Sequence, residues 1–461
     1  MIPLDRLLAG LLAAGLCGAP AAAAVQTTDG PFSPLVALSQ DPNLTLVPPG
    51  VTVVPVLDGD ELLIGKGQPP STWKIFLSDP AGTGFDETFL LKVPPASAFP
   101  APLLVAFHAY GVSQDDIDVN TTFEEECEQR GWFLVAPLGA SQVSFSCQQS
   151  QIHTELVLDL VSSLWPTGVD PARIYGAGFS MGGGNALNYA ARHLDPAHAM
   201  FAAVANHTGG VALLDSYANQ PAVHWVFEFW FGGPPAAQLF EYQRASVLNF
   251  DEASAVDLDS DLARNLTHVP VRSIYTSFDP NKYLIDQTKI LHSHLQFRGG
   301  TSLLLVKTGF GHSWNTLNEA QTCDWFEQYS LQLPLSGETL ADHDGAYFHF
   351  FVRQDAPLAF TPFTWAGDPA LNQLTLSATA NLERIEVRTA SLGLDPAAPL
   401  TVVLSTSDGL ADEVLLDGYS QAPASVLRDG LRAAWTWNRS TGTLLLAETD
   451  GGATHSWVVT P

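Results

Sequence analysis

Arg173-Ile174-Tyr175-Gly176-Ala177-Gly178-Phe179-Ser180-Met181-Gly182-Gly183 decides the fold. Arg173 to Ala177 has the composition of a short buried strand, and the small-residue stretch through Asn185, Ala186 and Leu187 suits a closely packed helix. A serine flanked by glycines at such a strand-to-helix turn is a G-x-S-x-G nucleophile elbow, where side chains on the flanking residues would clash. The reading puts the Ser180 hydroxyl at the end of a sheet and the Met181 N–H at a helix N-terminus, where it can stabilise an oxyanion. Five residues alone are a weak pattern; the strand before and the helix after give this one its weight.

Outward from the elbow, apolar runs alternate with helical periodicity. Phe89–Val93, Leu103–Phe107, Trp132–Val135, Phe201–Ala205, Val271–Tyr275 and Ser302–Lys307 read as strands. Thr122–Arg130, Ile152–Leu164 and Tyr283–Gln296 read as helices, the second with Leu156, Val157, Leu160, Val161 and Leu164 on one face. Strands alternating with helices imply an α/β fold, a mostly parallel sheet with helices on both faces. After about Leu335 the texture changes to short strand-like runs separated by Gly, Pro and Asp, and residues 335–461 are expected to form a smaller all-β, sandwich-like domain. Residues 25–334 then make up the α/β domain, with residues 25–85 its least readable part.

A serine hydroxyl needs a base, and the base an orienting carboxylate. In the chain order Ser, acid, His, each later partner follows a later strand. Asp279 stands in Thr276-Ser277-Phe278-Asp279-Pro280 after one strand, and His312 in Gly309-Phe310-Gly311-His312-Ser313-Trp314 after the next. Asp286, a rival acid, falls inside a helix that points elsewhere. The second oxyanion donor is expected from His108-Ala109-Tyr110-Gly111, the loop after Leu103–Phe107, and is assigned to the Tyr110 backbone N–H; His108 reads as a structural residue at the strand end.

His108-Ala109-Tyr110-Gly111, Val169-Asp170-Pro171, Gly178-Phe179-Ser180-Met181-Gly182-Gly183, Asp279-Pro280 and Gly311-His312-Ser313-Trp314 together resemble secreted esterases of the polyhydroxybutyrate depolymerase and feruloyl esterase type, in the α/β-hydrolase superfamily. The resemblance spans about residues 85–330. It implies cofactor-free hydrolysis of carboxylic esters by a Ser180, Asp279, His312 triad with the Met181 and Tyr110 amides as oxyanion hole, on an ester substrate that is polymeric or small. The departure is Ala109, where such esterases usually carry glycine; it adds a methyl beside the oxyanion loop. Ser-Met-Gly-Gly is shared with cutinase-like polyester hydrolases.

The segment between Ala205 and Val271 reads as a cap-like insertion at about 207–268, and contains His224-Trp225-Val226-Phe227-Glu228-Phe229-Trp230-Phe231. Trp225 and Trp230, with His207 and Trp314, are the candidate substrate-binding residues, against the plainer reading that the aromatics form the cap's own core. The run Asp257-Leu258-Asp259-Ser260-Asp261 lacks the glycine and closing glutamate of a calcium loop, and His292 and His294 sit two apart on a helix, so no metal site is expected. Tyr347-Phe348-His349-Phe350-Phe351 and Trp435-Thr436-Trp437 read as sandwich core rather than polymer-binding surface.

Composition narrows the partners. In 461 residues, 48 Asp and Glu against 20 Lys and Arg give a formal charge of −28, which repels nucleic acid and anionic lipid. The first 24 residues read as a signal peptide: Arg6, an apolar run Leu7–Leu16, then small residues to Ala24, with Leu16 too large before Cys17 for a lipoprotein site. No later stretch has the roughly 18 apolar residues of a membrane span. The chain is therefore expected in the periplasm or outside the cell. Of its 4 cysteines, Cys127, Cys147 and Cys323 lie beyond the signal segment, enough for at most one internal disulfide. The alternatives to an esterase are a peptidase or amidase on the same scaffold, or a non-catalytic surface-binding protein.

Overall fold

The computed structural model describes residues 51–56 (as backbone), 72–378, 380–407, 412–447 and 453–461. The expected signal peptide and Cys17 lie outside the described residues.

A nine-stranded sheet organises the first two-thirds of the chain. Its strands are β1 (Val51–Val56), β2 (Thr72–Leu77), β3 (Glu87–Lys92), β4 (Ala101–Phe107), β5 (Phe133–Pro137), β6 (Val169–Phe179), β7 (Ala203–His207), β8 (Val271–Thr276) and β9 (Ser302–Lys307). The spatial order is β1-β2-β3-β5-β4-β6-β7-β8-β9. The first four strands pair antiparallel, and from β5 through β4 to β9 every pairing is parallel.

Period-two alternation sends the strand side chains to two separate cores. Leu103, Val105 and Phe107 of β4 face α3 (Gln148–Leu164), α4 (Met181–Arg192) and α8 (Lys282–Phe297), while Leu104 and Ala106 face α1 (Asp116–Asn120), α2 (Phe123–Arg130) and α9 (Glu319–Phe326). The chain thus has the expected α/β-hydrolase architecture. Between β7 and β8 the insertion folds as α5 (Leu213–Asn219), α6 (His224–Phe231), α7 (Leu239–Arg244) and short 3-10 turns, around a core of Leu213, Val226, Phe227, Trp230, Phe231 and Tyr242.

From β10 (Ser336–Ala341) onward all regular elements among the described residues but one 3-10 turn are strands, in a seven-stranded and a six-stranded sheet that share one apolar core. Tyr347, Phe348 and Phe350 are buried in that core, and Trp435 and Trp437 pack against it half-buried. Two pairings, Gln373–Ala378 with Leu400–Thr406 and Arg384–Val387 with Glu413–Leu416, are parallel.

This all-β part is fastened to the far end of α4, the helix that begins after Ser180. Asp342, one residue beyond β10 and 2% exposed, accepts from Arg192 Nε at 2.9 Å and Nη2 at 2.7 Å. Asn265 donates to the carbonyls of Ala191 and Leu340 and accepts from the Leu340 amide, and Phe348 N–H donates to Leu194 O. Burial alone raises the Asp342 pKa, but the Arg192, His343 and Arg244 charges outweigh burial and hold the carboxyl well below the usual carboxylate range.

Breaking a buried ion pair from one side typically costs about 3–5 kcal/mol. Asp342→Ala is expected to lower unfolding stability by about that amount in a denaturant titration. Because the folded pKa is depressed, the pair's contribution is full above the unfolded value of about 3.9 and is lost as pH falls below it. Wild-type melting temperature should therefore decline below about pH 4 more steeply than that of Asp342→Asn; parallel curves would show that the carboxylate contributes no such linkage.

Candidate active site

The sharpest local feature is the backbone of Ser180, at φ 57° and ψ −120° between the end of β6 and the start of α4. A non-glycine residue there is strained by about 1–3 kcal/mol and persists only where its surroundings hold it. Ser180 N–H donates to His207 O at 2.9 Å, and Ser180 O accepts from the amides of Gly183, Gly184 and Gly210 at 3.1, 3.3 and 3.2 Å. The flanking glycines are required by contact: a Cβ on Gly178 would sit 2.1 Å from Gly182 O, and one on Gly182 would sit 2.1 Å from Phe107 O.

Three side chains meet at this point. His312 Nε2 lies 2.8 Å from Ser180 Oγ, and His312 Nδ1 lies 2.6 Å from Asp279 Oδ2. Asp279 is fully buried, and its other oxygen accepts from Asn281 N–H at 2.8 Å. The loops carrying acid and base are joined directly, since Thr276 Oγ1 donates to Phe310 O at 2.6 Å. A neutral imidazole in this relay can take the Ser180 proton at Nε2 while its Nδ1–H stays on the carboxylate. His312 also packs on Phe179, with ring centroids 4.5 Å apart.

Met181 opens α4, so its N–H has no acceptor within the helix. In the loop after β4, Gly111 N–H donates to Gln142 O at 2.8 Å and Ala109 N–H to Asp116 Oδ2 at 3.3 Å, so the amides on either side of Tyr110 are engaged. His108 is buried, with ring nitrogens 3.0 Å from Leu138 O and 2.8 Å from Ala109 O, which ties the strand end to the β5 exit. That exit is itself clamped by the buried Glu87 carboxylate, which accepts from the amides of Leu138, Gly139 and Ala140 and contacts His153 Nδ1 at 3.0 Å.

Ser180, Met181, His312, Ala109 and Tyr110 line a cavity of about 350 Å³ whose remaining wall is largely apolar: Phe145, Phe179, Val223, Phe227 and Leu284, with Tyr283, Asn281, Gln220 and Ser216. The insertion supplies Ser216, Gln220, Val223 and Phe227 of this wall. A larger cavity of about 580 Å³ shares the Tyr283 wall but holds neither the serine nor the histidine.

The four expected substrate-binding residues are not among those lining the serine cavity. Trp230 is turned into the insertion's core, where it packs on Phe85 and Phe229, and Trp225 is 56% exposed on the opposite face of α6. His207 is buried under the elbow, stacked on Phe179 at 4.6 Å, and burial together with the neighbouring His312 pushes its pKa down to about 3, so its ring stays neutral. Trp314 is buried and donates its indole N–H to Asp116. The lining residues not among those four include Phe227, two residues after Trp225 and three before Trp230, and Tyr283, four residues past Asp279 in the first turn of α8.

Asp257 and Asp261 cap 3-10 turns, and Asp261 also binds His294 and Arg298. Cys127, Cys147 and Cys323 are buried unpaired thiols. No helix among the described residues is long and apolar enough to cross a membrane.

No family model matches the chain, and no curated protein matches it. Solved structures similar to it include an S-formylglutathione hydrolase from Agrobacterium tumefaciens (16% identity over 56% of this chain and 95% of that one, TM-score 0.42) and a ferulic acid esterase (16%, 60% and 96%, TM-score 0.39). An acylaminoacyl peptidase from Pyrococcus horikoshii is similar at 17% identity, over 59% of this chain and 43% of that one, with a TM-score of 0.40. The fold and the site therefore stand on this chain's own strand order and geometry.

Gly182→Ala drives a methyl into the Phe107 carbonyl, and neither backbone can yield without moving the elbow. The expected result is a stability loss of at least about 1–3 kcal/mol, the usual cost of overpacking. Denaturant titration checks it; a variant as stable as wild type would mean that α4 does not approach β4 this closely.

Proposed function

We propose that this chain is an exported serine esterase that hydrolyses carboxylic esters through an acyl-enzyme on Ser180. The observation that carries the reading is the relay of 2.8 Å from Ser180 Oγ to His312 Nε2 and 2.6 Å from His312 Nδ1 to Asp279 Oδ2. The serine hydroxyl gives its proton to His312 as its oxygen attacks the ester carbonyl carbon. Asp279 fixes the tautomer and stabilises the imidazolium. The oxyanion that forms is held by the Met181 and Tyr110 N–H groups, each such donor being worth about 2.7–4 kcal/mol in the transition state. His312 then returns the proton to the leaving alcohol, and a water deprotonated by the same imidazole releases the acid.

The apolar and aromatic wall around the serine suits an aromatic or short aliphatic acyl group, as in a feruloyl ester or one unit of a polyester. Export through residues 1–24 belongs to the same reading, with substrates met outside the cytoplasm.

The test is a panel of p-nitrophenyl butyrate, methyl ferulate, polyhydroxybutyrate and a peptide p-nitroanilide. At least one ester is expected to be cleaved well ahead of the anilide. Ser180→Ala should remove that activity, and Asp279→Asn should lower kcat by about 10⁴-fold, the usual cost of losing the orienting carboxylate. Preference for the anilide would reassign the chain as a peptidase or amidase, and Ser180→Ala with full activity would overturn the site altogether.

A further inference from the structure

The amide expected to hold the oxyanion and the histidine expected to move the proton sit on loops far apart in the chain, and one buried carboxylate binds a neighbouring residue on each of those loops. Asp116, the first residue of α1, is 8% exposed. Its Oδ2 accepts the Ala109 backbone N–H at 3.3 Å and the Trp314 indole N–H at 2.8 Å, although Trp314 lies 198 positions away. Its Oδ1 accepts from Asn120 Nδ2 at 2.8 Å. Ala109 directly precedes Tyr110, and Trp314 follows His312 by two residues.

Trp314 carries the link further. Its ring lies 5.4 Å from that of Phe179, which precedes Ser180 and packs at 4.5 Å on His312, and the Phe123 ring lies perpendicular to it at 6.2 Å. The indole is therefore wedged behind serine and histidine, and its one polar atom is spent on Asp116. A carboxylate binds such donors more strongly than a neutral acceptor does.

We propose that Asp116 is a positioning residue that sets the distance between the oxyanion loop and the general base, by holding the Ala109 amide and the Trp314 indole on a single oxygen. The proposal rests on the serine-hydrolase reading above. Misplacement of a reacting group by about 1 Å can cost about 10²-fold in rate, and oxyanion contacts act mainly in the transition state. Release of this clamp should accordingly appear in kcat rather than KM.

The experiment compares wild type, Asp116→Ala, Asp116→Asn, Trp314→Phe and the Asp116→Ala/Trp314→Phe pair in the full-length chain, on p-nitrophenyl butyrate, after active-site titration with a fluorophosphonate. Asp116→Ala should lower kcat by about tenfold or more with KM within about twofold, and Trp314→Phe should move kcat in the same direction. The pair should fall no further than Asp116→Ala alone, because both changes break the same bond. Asp116→Asn, whose amide oxygen can still accept both N–H groups, should keep most of kcat. Losses that multiply in the pair, or kcat unchanged in both Trp314→Phe and Asp116→Ala, overturn the proposal; if Asp116→Ala does not fold, unchanged kcat in Trp314→Phe is enough to do so. A wild-type chain that no fluorophosphonate modifies overturns the hydrolase reading and this proposal together, whereas a reactive wild type with indifferent variants overturns this one alone.

Discussion

One strained residue organises the molecule. Ser180 can hold φ 57° only because its own N–H and C=O are tied to β7, to the first turn of α4 and to Gly210, and because glycines let β6, α4 and β4 come within contact of one another. Each of those elements must then be where it is. The exits of the neighbouring parallel strands are gathered along one edge of the sheet, where the acid loop after β8 and the base loop after β9 can reach the hydroxyl. Fixing Ser180 thus fixes the sheet around it.

The support runs in two directions from there. Toward the site, buried carboxylates hold loops by accepting backbone and side-chain N–H groups: Glu87 at the β5 exit, Asp279 on Asn281 and His312, Asp116 on Ala109 and Trp314. Away from the site, the C-terminal end of α4 is anchored by Arg192 to Asp342, so the all-β part braces the helix whose first turn follows the serine. Tyr347, Phe348 and Phe350 fill the core of that all-β part, the place the sequence reading gave them.

Much of this was legible in the sequence because its signals are local. Glycines at 178 and 182 report a close approach that any strand-to-helix elbow requires, and Asp279 and His312 lie directly after runs that read as strands. The strand expected over Arg173–Ala177 extends over Val169–Phe179, and the helix expected over Tyr283–Gln296 over Lys282–Phe297, differences confined to element ends. The cavity wall was not legible, because it depends on which way an aromatic-rich helix turns. Trp225, Phe227 and Trp230 look alike in sequence, yet Trp225 faces solvent while the other two enter the insertion's core, where only Phe227 also borders the serine cavity. Asp116 and Trp314 were equally hidden, since nothing in the chain marks two residues so far apart as partners.

The central claim is that His312 makes Ser180, and no other residue, a nucleophile. Mass spectrometry of the intact chain after treatment with a fluorophosphonate, followed by peptide mapping, tests it most directly. The account predicts one adduct per chain, on Ser180, formed far more slowly when His312 is replaced by alanine. An unmodified chain, or an adduct on a different serine, would contradict it.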